Sequence, residues 1–249
     1  MKTRLDVLMT EKGLAPSRTM AQAMIMAGQV KIDGQPALKA GQPVAEGADI
    51  SITEMPKYVS RAGDKLASVA SELKLDFNGK IILDVGSSTG GFTDFALQNG
   101  AKKVYAVDVG TAQLAYKLRQ DPRVVVMEKT DIRTVNSLPD RADIALVDAS
   151  FISLTKILPT VAELISPDGV IAAMAKPQFE ADKPTADKFK GVISDEKTRQ
   201  EILSGLEAKI KADFIITASA DSKITGAQGN RERFYTLKRN STTSPSRIT

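Results

Sequence analysis

Residues 81–94 read Ile-Ile-Leu-Asp-Val-Gly-Ser-Ser-Thr-Gly-Gly-Phe-Thr-Asp, and no other stretch narrows so far what the chain can fold into. An apolar run ending at Asp84 breaks into a turn rich in small residues: Gly86, Ser87, Ser88, Gly90 and Gly91. The turn leads into 91–98, where Phe92, Phe95 and Ala96 recur at helical spacing. Strand, glycine loop and helix in that order open a nucleotide-type site in a doubly wound sheet. Glycine lets a backbone come close to a ligand because no Cβ stands between them. Alone, the loop is equally a plain glycine turn, for it lacks the G-x-G-x-x-G of dinucleotide enzymes.

Two carboxylates downstream favour a ligand. A second apolar run, 104–107, ends in Asp108, about twenty residues after the first glycine, where an acid can accept from both ribose hydroxyls. A third run, 124–127, is followed by Asp131, placed to meet an adenine amino group. Glycine loop, ribose acid and adenine acid together predict an adenosine-containing cofactor. The loop lacks the third glycine and helix entry that hold a pyrophosphate. S-adenosylmethionine, with an amino-acid tail and no phosphate, therefore fits better than NAD.

The chain has 249 residues, enough for one large domain and a small one. No apolar run reaches the ~18–20 residues of a membrane span, and Met1-Lys-Thr-Arg-Leu-Asp6 precedes no apolar leader segment. With cysteine absent as well, the expectation is a cytoplasmic protein without disulfides. The lack of both Cys and His excludes a Ser-His-Asp triad, a thiol nucleophile and a zinc site of the usual ligands, so no metal is expected. Pyrimidine C5 methylation through a cysteine adduct is excluded with them. Any base must be Asp, Glu, Lys or Tyr. The net charge of +4 is compatible with a polyanionic partner without requiring one.

The first 55 residues differ from the rest. Leu5, Leu8 and Met9 predict a short helix ending near Gly13, and Ser17 caps a second helix carrying Met20, Ala21, Met24 and Ile25. The run 30–32, an Asp33-Gly34 turn and the run 50–52 add a hairpin. Residues 56–60 read as a linker. From 61 to 240, a helix over 61–73 leads into strands at 81–85, 104–107, 123–127, 143–148, 169–175, 213–218 and 232–237. Helices are expected between them near 91–98, 111–119, 153–165 and 195–210. This alternation predicts an α/β, Rossmann-like, mostly parallel sheet. Residues 179–192 read as a mobile charged loop, and 241–249 as a disordered tail.

In open α/β sheets chemistry gathers beyond the carboxyl ends of the strands. The fourth strand ends in Asp148 and the fifth in Lys176, two charges that core packing does not explain. They are either a structural ion pair or reactive groups at the ligand's working end. Lys65, on the helix before the first strand, and Glu232, leading into the last, can join them or be solvated surface charges.

Five stretches then resemble one family: Val59-Ser-Arg-Ala-Gly-Asp-Lys-Leu66, Asp84 to Asp94, Asp148-Ala-Ser-Phe-Ile-Ser-Leu154, Lys176-Pro-Gln-Phe-Glu180 and Gly229-Asn-Arg-Glu232. The chain is identified as a member of the TlyA family, whose members carry the names hemolysin A and ribosomal RNA 2′-O-methyltransferase. More distantly it is similar to the FtsJ/RrmJ-type RNA methyltransferases. The resemblance implies that Lys65, Asp148, Lys176 and Glu232 form the Lys-Asp-Lys-Glu tetrad of 2′-O-methyltransferases. It implies that residues 1–55 are an RNA-binding domain of the ribosomal protein S4 type, matched at Arg4, Leu5, Asp6, Arg18, Ala21, Gly28, Val30 and Gly34. Two positions depart from the family pattern, Ala62-Gly63 and Arg233.

On this reading Lys176 contacts a 2′-oxygen, Lys65 supplies a second cation, and the two carboxylates orient the lysines. Methylation of an exocyclic amine usually relies on a proline-containing turn after the fourth strand. Asp148-Ala-Ser-Phe151 has no proline, which favours oxygen as the acceptor. Lys2, Arg4, Arg18, Lys31 and Lys39 are candidates for phosphate contacts to ribosomal RNA or ribosomal subunits, although Asp6, Glu11 and Asp33 leave a solvated face open. The expected substrate is the ribose 2′-hydroxyl of a cytidine. The alternatives are a membrane-active hemolysin and an inactive RNA-binding protein.

Overall fold

The computed structural model describes residues 2–26, 28–53, 57–226 and 228–240. The tail from 241 lies outside them. The chain divides into two compact units, Met1–Pro56 and Lys57–Thr249.

In the first unit a strand, β1 (Lys2–Arg4), precedes helices α1 (Leu5–Glu11) and α2 (Arg18–Met26). Four further short strands follow, β2 (Val30–Ile32), β3 (Gln35–Pro36), β4 (Pro43–Ala45) and β5 (Ile50–Ile52). Helices of this length are marginal alone, so burial of Leu5, Leu8, Met9, Ala21, Ile25, Val30 and Ile50 in one cluster must hold them. Ser17 Oγ accepts the Met20 N–H at 3.2 Å, as the capping expectation required. Asp33 and Gly34 both adopt positive φ, the conformation of a tight hairpin turn between β2 and β3. The antiparallel pairing of β1 with β4 is an addition to the sequence reading.

The second unit is a three-layer α/β/α domain. After α3 (Arg61–Val69) come β6 (Ile81–Val85), α4 (Gly91–Gln98), β7 (Lys103–Val107), α5 (Tyr116–Arg119), β8 (Val124–Met127) and β9 (Ala142–Val147). The chain continues with α6 (Leu158–Leu164), β10 (Ile165–Ala175), α7 (Pro177–Glu180), α8 (Lys183–Lys188), α9 (Glu196–Ile210), β11 (Phe214–Asp221) and β12 (Arg233–Arg239). The sheet order is β11-β12-β10-β9-β6-β7-β8, parallel from β10 to β8 and antiparallel through β12 and β11. Alternate residues face opposite layers. Leu83, Val85, Tyr105 and Val107 pack with Val161 and Leu203 on one side, and Ile82, Val104 and Ala106 with Leu66 and Phe95 on the other. No described helix is long and apolar enough to cross a membrane.

Several local expectations change. The helix expected over 111–119 shrinks to α5, because the Glu128 carboxylate accepts the N–H groups of Ala112, Gln113 and Leu114 and holds that segment in a loop. The helix at 153–165 splits into a 3₁₀ turn at Leu154–Lys156 and α6, whose first turn contains Pro159. The charged segment 179–192 holds the end of α7 and all of α8, with Asp182 capping α8 through the Thr185 N–H at 3.0 Å. Residues 57–60 pack with the second unit instead of linking the two. Tyr58 is buried with its ring 5.5 Å from Phe95, and the Val59 N–H donates to Asp94 Oδ2 at 2.8 Å.

Candidate active site

Strand ends assemble the four candidate reactive residues. Antiparallel pairing sets Ala175 of β10 against Arg233 of β12, so Lys176 and Glu232 occupy adjoining positions just beyond the pair. On the other flank, the Asp148 N–H donates to the Val85 carbonyl at 2.9 Å, which carries Asp148 onto the end of β6. Lys176 Nζ lies 2.5 Å from Asp148 Oδ1 and donates to Ser150 Oγ at 2.8 Å. Lys65, from α3, reaches Glu232 Oε1 at 2.8 Å. Both pairs are shielded, Glu232 almost completely.

Burial pushes the Asp148 carboxyl above its ordinary range, opposed first by the charge of Lys176 and then by that of Lys65. The charge of Glu232 also acts on Asp148, in the raising direction, so the two pairs form one electrostatic group. Gly226 packs against Glu232, where a Cβ would lie 2.7 Å from Oε1. Arg233, the departure from the family pattern, points elsewhere. Its guanidinium donates to Asp221 Oδ1 at 2.7 Å across the β11–β12 pair.

Two cavities meet at this group. One, of about 560 Å³, is lined by Asp108, Asp131, Ile152, Gly86, Asp148 and Lys176 among others. The second, of about 420 Å³, is lined by Asp84, Ser87, Ser60 and Phe92, and shares Gly86, Ser88 and Asp148 with the first. Asp108 is nearly buried, and its carboxylate accepts the Ser88 N–H at 2.8 Å and the Gly110 N–H at 2.7 Å. The acid expected at a ribose thus also fastens the glycine loop. A carboxylate has about four lone-pair sites, so two remain for a ligand. Asp131 caps the turn after β8 and is forked by Arg133, which holds its carboxyl below the ordinary range.

Asp84 is fully buried. Thr93 Oγ1 donates to its Oδ2 at 2.6 Å, while Oδ1 has no hydrogen-bond partner among the described residues. Burial pushes this carboxyl up to about 7. A buried oxygen of this kind, on a residue that lines the cavity, fits a cationic group such as an amino-acid ammonium.

The glycines also answer to packing that their sequence did not show. Gly86 adopts φ +80°, and a Cβ there would sit 2.6 Å from the Asp148 carbonyl oxygen. At Gly90, with φ +94°, a Cβ would run into the side chains of Leu114 and Leu118. Gly91 lets α4 approach α3, where a Cβ would meet the Gly63 amide at 2.7 Å. Gly90 and Gly91 are buried, whereas Gly86, Ser87, Ser88 and Thr89 of the same loop line the smaller cavity.

The basic residues of the first unit divide into two groups. Arg4 forks onto Asp6, with Nε 3.0 Å from Oδ1 and Nη2 2.8 Å from Oδ2, and Arg18 reaches Oδ2 at 3.4 Å. Asp6 is fully buried, and the Arg4 hydrogen bond holds its carboxyl well below the ordinary range. Lys2 and Lys39 are exposed and Lys31 half-buried, and among the described residues only Arg4 and Arg18 form ion pairs with Asp6. Sequence reasoning missed Ser150 and Glu180, although both lie inside stretches that carry the resemblance.

A family model described as FtsJ-like methyltransferase matches residues 58–239, and one described as S4 domain matches residues 3–50. A Bacillus subtilis protein provisionally named as the rRNA methyltransferase YqxC is 44% identical over 236 residues, 93% of this chain and 84% of that protein. The 16S/23S rRNA (cytidine-2′-O)-methyltransferase TlyA of Mycobacterium tuberculosis is 37% identical over 242 residues, 95% of this chain and 90% of the relative. A solved Streptococcus thermophilus structure, provisionally named a hemolysin, is 36% identical with a TM-score of 0.73, covering 100% of this chain and 92% of that one. With Lys65, Asp148, Lys176 and Glu232 gathered at the strand ends of a doubly wound sheet, the chain belongs to the FtsJ-like methyltransferase family, carrying an S4 domain ahead of the methyltransferase unit.

Proposed function

We propose that this chain methylates the 2′-hydroxyl of a cytidine ribose in ribosomal RNA, using S-adenosylmethionine. The observation that carries the reading is the Lys176–Asp148 pair at 2.5 Å, on the wall of the cavity that also holds Asp108 and Asp131. The relative named as a cytidine-2′-O-methyltransferase supports the choice of atom and nucleotide.

S-adenosylmethionine, when bound, supplies an electrophilic methyl group on a sulfonium. Asp108 and Asp131 would accept from its nucleoside, and Asp84 Oδ1 would accept from its ammonium. A sugar hydroxyl holds its proton far above neutral pH, so catalysis consists of orienting the oxygen and receiving that proton. Lys176 Nζ, held by Asp148 and Ser150, contacts and orients the 2′-oxygen. Burial raises the Asp148 carboxyl against the charge of Lys176, and the Lys176–Asp148 pair would take up the hydroxyl proton as the oxygen–carbon bond forms and the carbon–sulfur bond breaks. Lys65, neutralised by Glu232, keeps a cation near the developing negative charge without leaving a buried charge uncompensated. Phe151, whose ring is exposed, lines the same cavity as Lys176. The first unit would position RNA through phosphate contacts.

The test is transfer of a tritiated methyl group from S-adenosylmethionine to ribosomes, separated subunits and naked ribosomal RNA, followed by alkaline hydrolysis. A 2′-O-methyl group protects the adjoining phosphodiester and leaves a resistant dinucleotide containing cytidine. Label on a base, or none on any ribosomal substrate, would overturn the proposal.

A further inference from the structure

The segment after β9 and the turn after β10 are joined by more than the Lys176–Asp148 pair. Lys176 also donates to Ser150 Oγ, and the Phe179 ring lies 4.8 Å from that of Phe151. One residue further, Glu180 Oε2 accepts from Ser153 Oγ at 2.6 Å, and Oε1 accepts the Leu154 N–H at 2.8 Å. Lys176 is the extended residue that precedes α7, and Phe179 and Glu180 lie three and four residues further on, so an ammonium, a ring and a carboxylate follow one another along this turn. Opposite them, in the same order, stand Asp148 with Ser150, then Phe151, then Ser153 with Leu154.

Only the last of these links is charged and lies clear of the reacting group. Its carboxyl is raised by burial, against which the Ser153 and Leu154 hydrogen bonds work. The segment it closes is under backbone strain. Phe151 has φ +62°, a region that a bulky side chain avoids and keeps only where its surroundings over-determine it. Phe151 is 90% exposed, so packing of its own ring contributes little to that restraint. The 3₁₀ turn beginning at Leu154, also capped by Ser153, is the next fixed point along the chain.

We propose that Glu180 is a positioning residue for methyl transfer: its carboxylate latches Ser153 and Leu154 to α7, and thereby holds Lys176, Asp148 and Ser150 in register. The inference rests on the 2′-O-methylation reading for its kinetic consequence, but the latch itself is a property of the fold. Glu180 does not touch the reacting atoms. It acts by stopping the 149–154 segment, which lines the larger cavity at Ala149, Ser150, Phe151 and Ile152, from swinging away from Lys176.

The experiment uses the full chain with E180A, E180Q, S153A and the E180A/S153A double variant. Hydrogen exchange read by mass spectrometry should be about tenfold faster or more in E180A at residues 149–156 and 176–181, with other strand-end loops unchanged. At saturating S-adenosylmethionine and RNA, kcat should fall ~10- to 100-fold in E180A, with smaller changes in the RNA KM and the cofactor Kd. E180Q keeps an acceptor for the Leu154 N–H and should recover much of the loss, which a purely electrostatic role would not permit. The double variant should be no worse than E180A, because both changes remove the same link. Wild-type exchange at 149–156 in E180A, wild-type kcat in E180A, or additive losses in the double variant would each overturn the latch. If E180A does not fold, E180Q and S153A carry the same comparison. If the unaltered protein methylates no ribosomal RNA, the functional reading fails alone, and the exchange measurement still decides the latch.

Discussion

Lys176 Nζ and Asp148 Oδ1 stand 2.5 Å apart at the ends of neighbouring strands, and Ser150 Oγ takes a further Nζ hydrogen at 2.8 Å. The lysine is therefore aimed before any substrate arrives. Lys176→Ala removes the group proposed to contact the 2′-oxygen and leaves Asp108, Asp131 and the glycine loop in place. Methyl transfer should fall by about 10² to 10⁴, the usual worth of a side chain that assists proton transfer in the transition state. Calorimetric affinity for S-adenosylmethionine should stay within a few-fold of the original. Transfer at the original rate would remove Lys176 from the mechanism.

Asp108 predicts the opposite split. Its carboxylate, the proposed ribose acceptor, already fastens the loop through Ser88 and Gly110. Asp108→Ala should weaken S-adenosylmethionine binding by about 10- to 100-fold, as one or two hydrogen bonds to a charged group are lost together with the loop anchor. Turnover at saturating cofactor should recover substantially. A calorimetric Kd equal to that of the unaltered protein would show that the cavity holds its ligand without this acid.

Asp84 ties both stability and cofactor affinity to pH. Burial raises its carboxyl to about 7 in the folded chain, against an ordinary value of 3.8. The protonated form is thus favoured by folding. That contribution is complete below the ordinary value and is lost as pH rises through about 7. Asp84→Asn escapes the loss, so its melting temperature should rise relative to the unaltered protein between pH 5 and pH 8. The difference is bounded on the order of 4 kcal/mol. A cation brought to Oδ1 favours the ionised form. Cofactor affinity should therefore tighten from pH 6 to pH 8, with a proton released on binding, seen by calorimetry in buffers of different ionisation heat. Affinity independent of pH, or identical pH profiles for the variant and the original, would count against Oδ1 as the ammonium acceptor.

What the sequence made legible was local in the chain or periodic along it. The change from an apolar run to helical spacing at 81–98 located β6 and α4, and charges at the ends of apolar runs located Asp108, Asp148 and Lys176. The rest depends on distant partners. Glu128 reaches back to residues 112–114 and prevents the helix that their composition allowed. Lys65 and Glu232 are 167 residues apart, and only the antiparallel register of β12 brings Glu232 to Lys176. The glycine loop carries packing constraints that the sequence did not show. Gly86 and Gly90 are required by the Asp148 carbonyl and by Leu114 and Leu118, while the loop's own hold on the cofactor region runs through Ser88 and Asp108.

The first unit yields a prediction that separates RNA contact from fold maintenance. Lys2 and Lys39 are exposed and outside the ion pairs that Arg4 and Arg18 form with Asp6, whereas Arg4 spends two of its donors on buried Asp6 with 53% of its side chain still exposed. Lys2→Ala or Lys39→Ala should weaken ribosomal RNA binding at every sequence. Each should also lower the slope of log affinity against log salt by about one, if the lysine neutralises a phosphate. The melting temperature should not move, because an exposed lysine holds nothing in place. Arg4→Ala removes the main partner of a buried carboxylate, and should cost about 1–3 kcal/mol of stability in addition to any change in slope. Binding measured between 50 and 200 mM salt, beside thermal unfolding of the same samples, distinguishes the two roles. A lower melting temperature with an unchanged salt slope would assign Arg4 to the fold alone. An unchanged slope in Lys2→Ala and Lys39→Ala as well would move the RNA contact away from these residues.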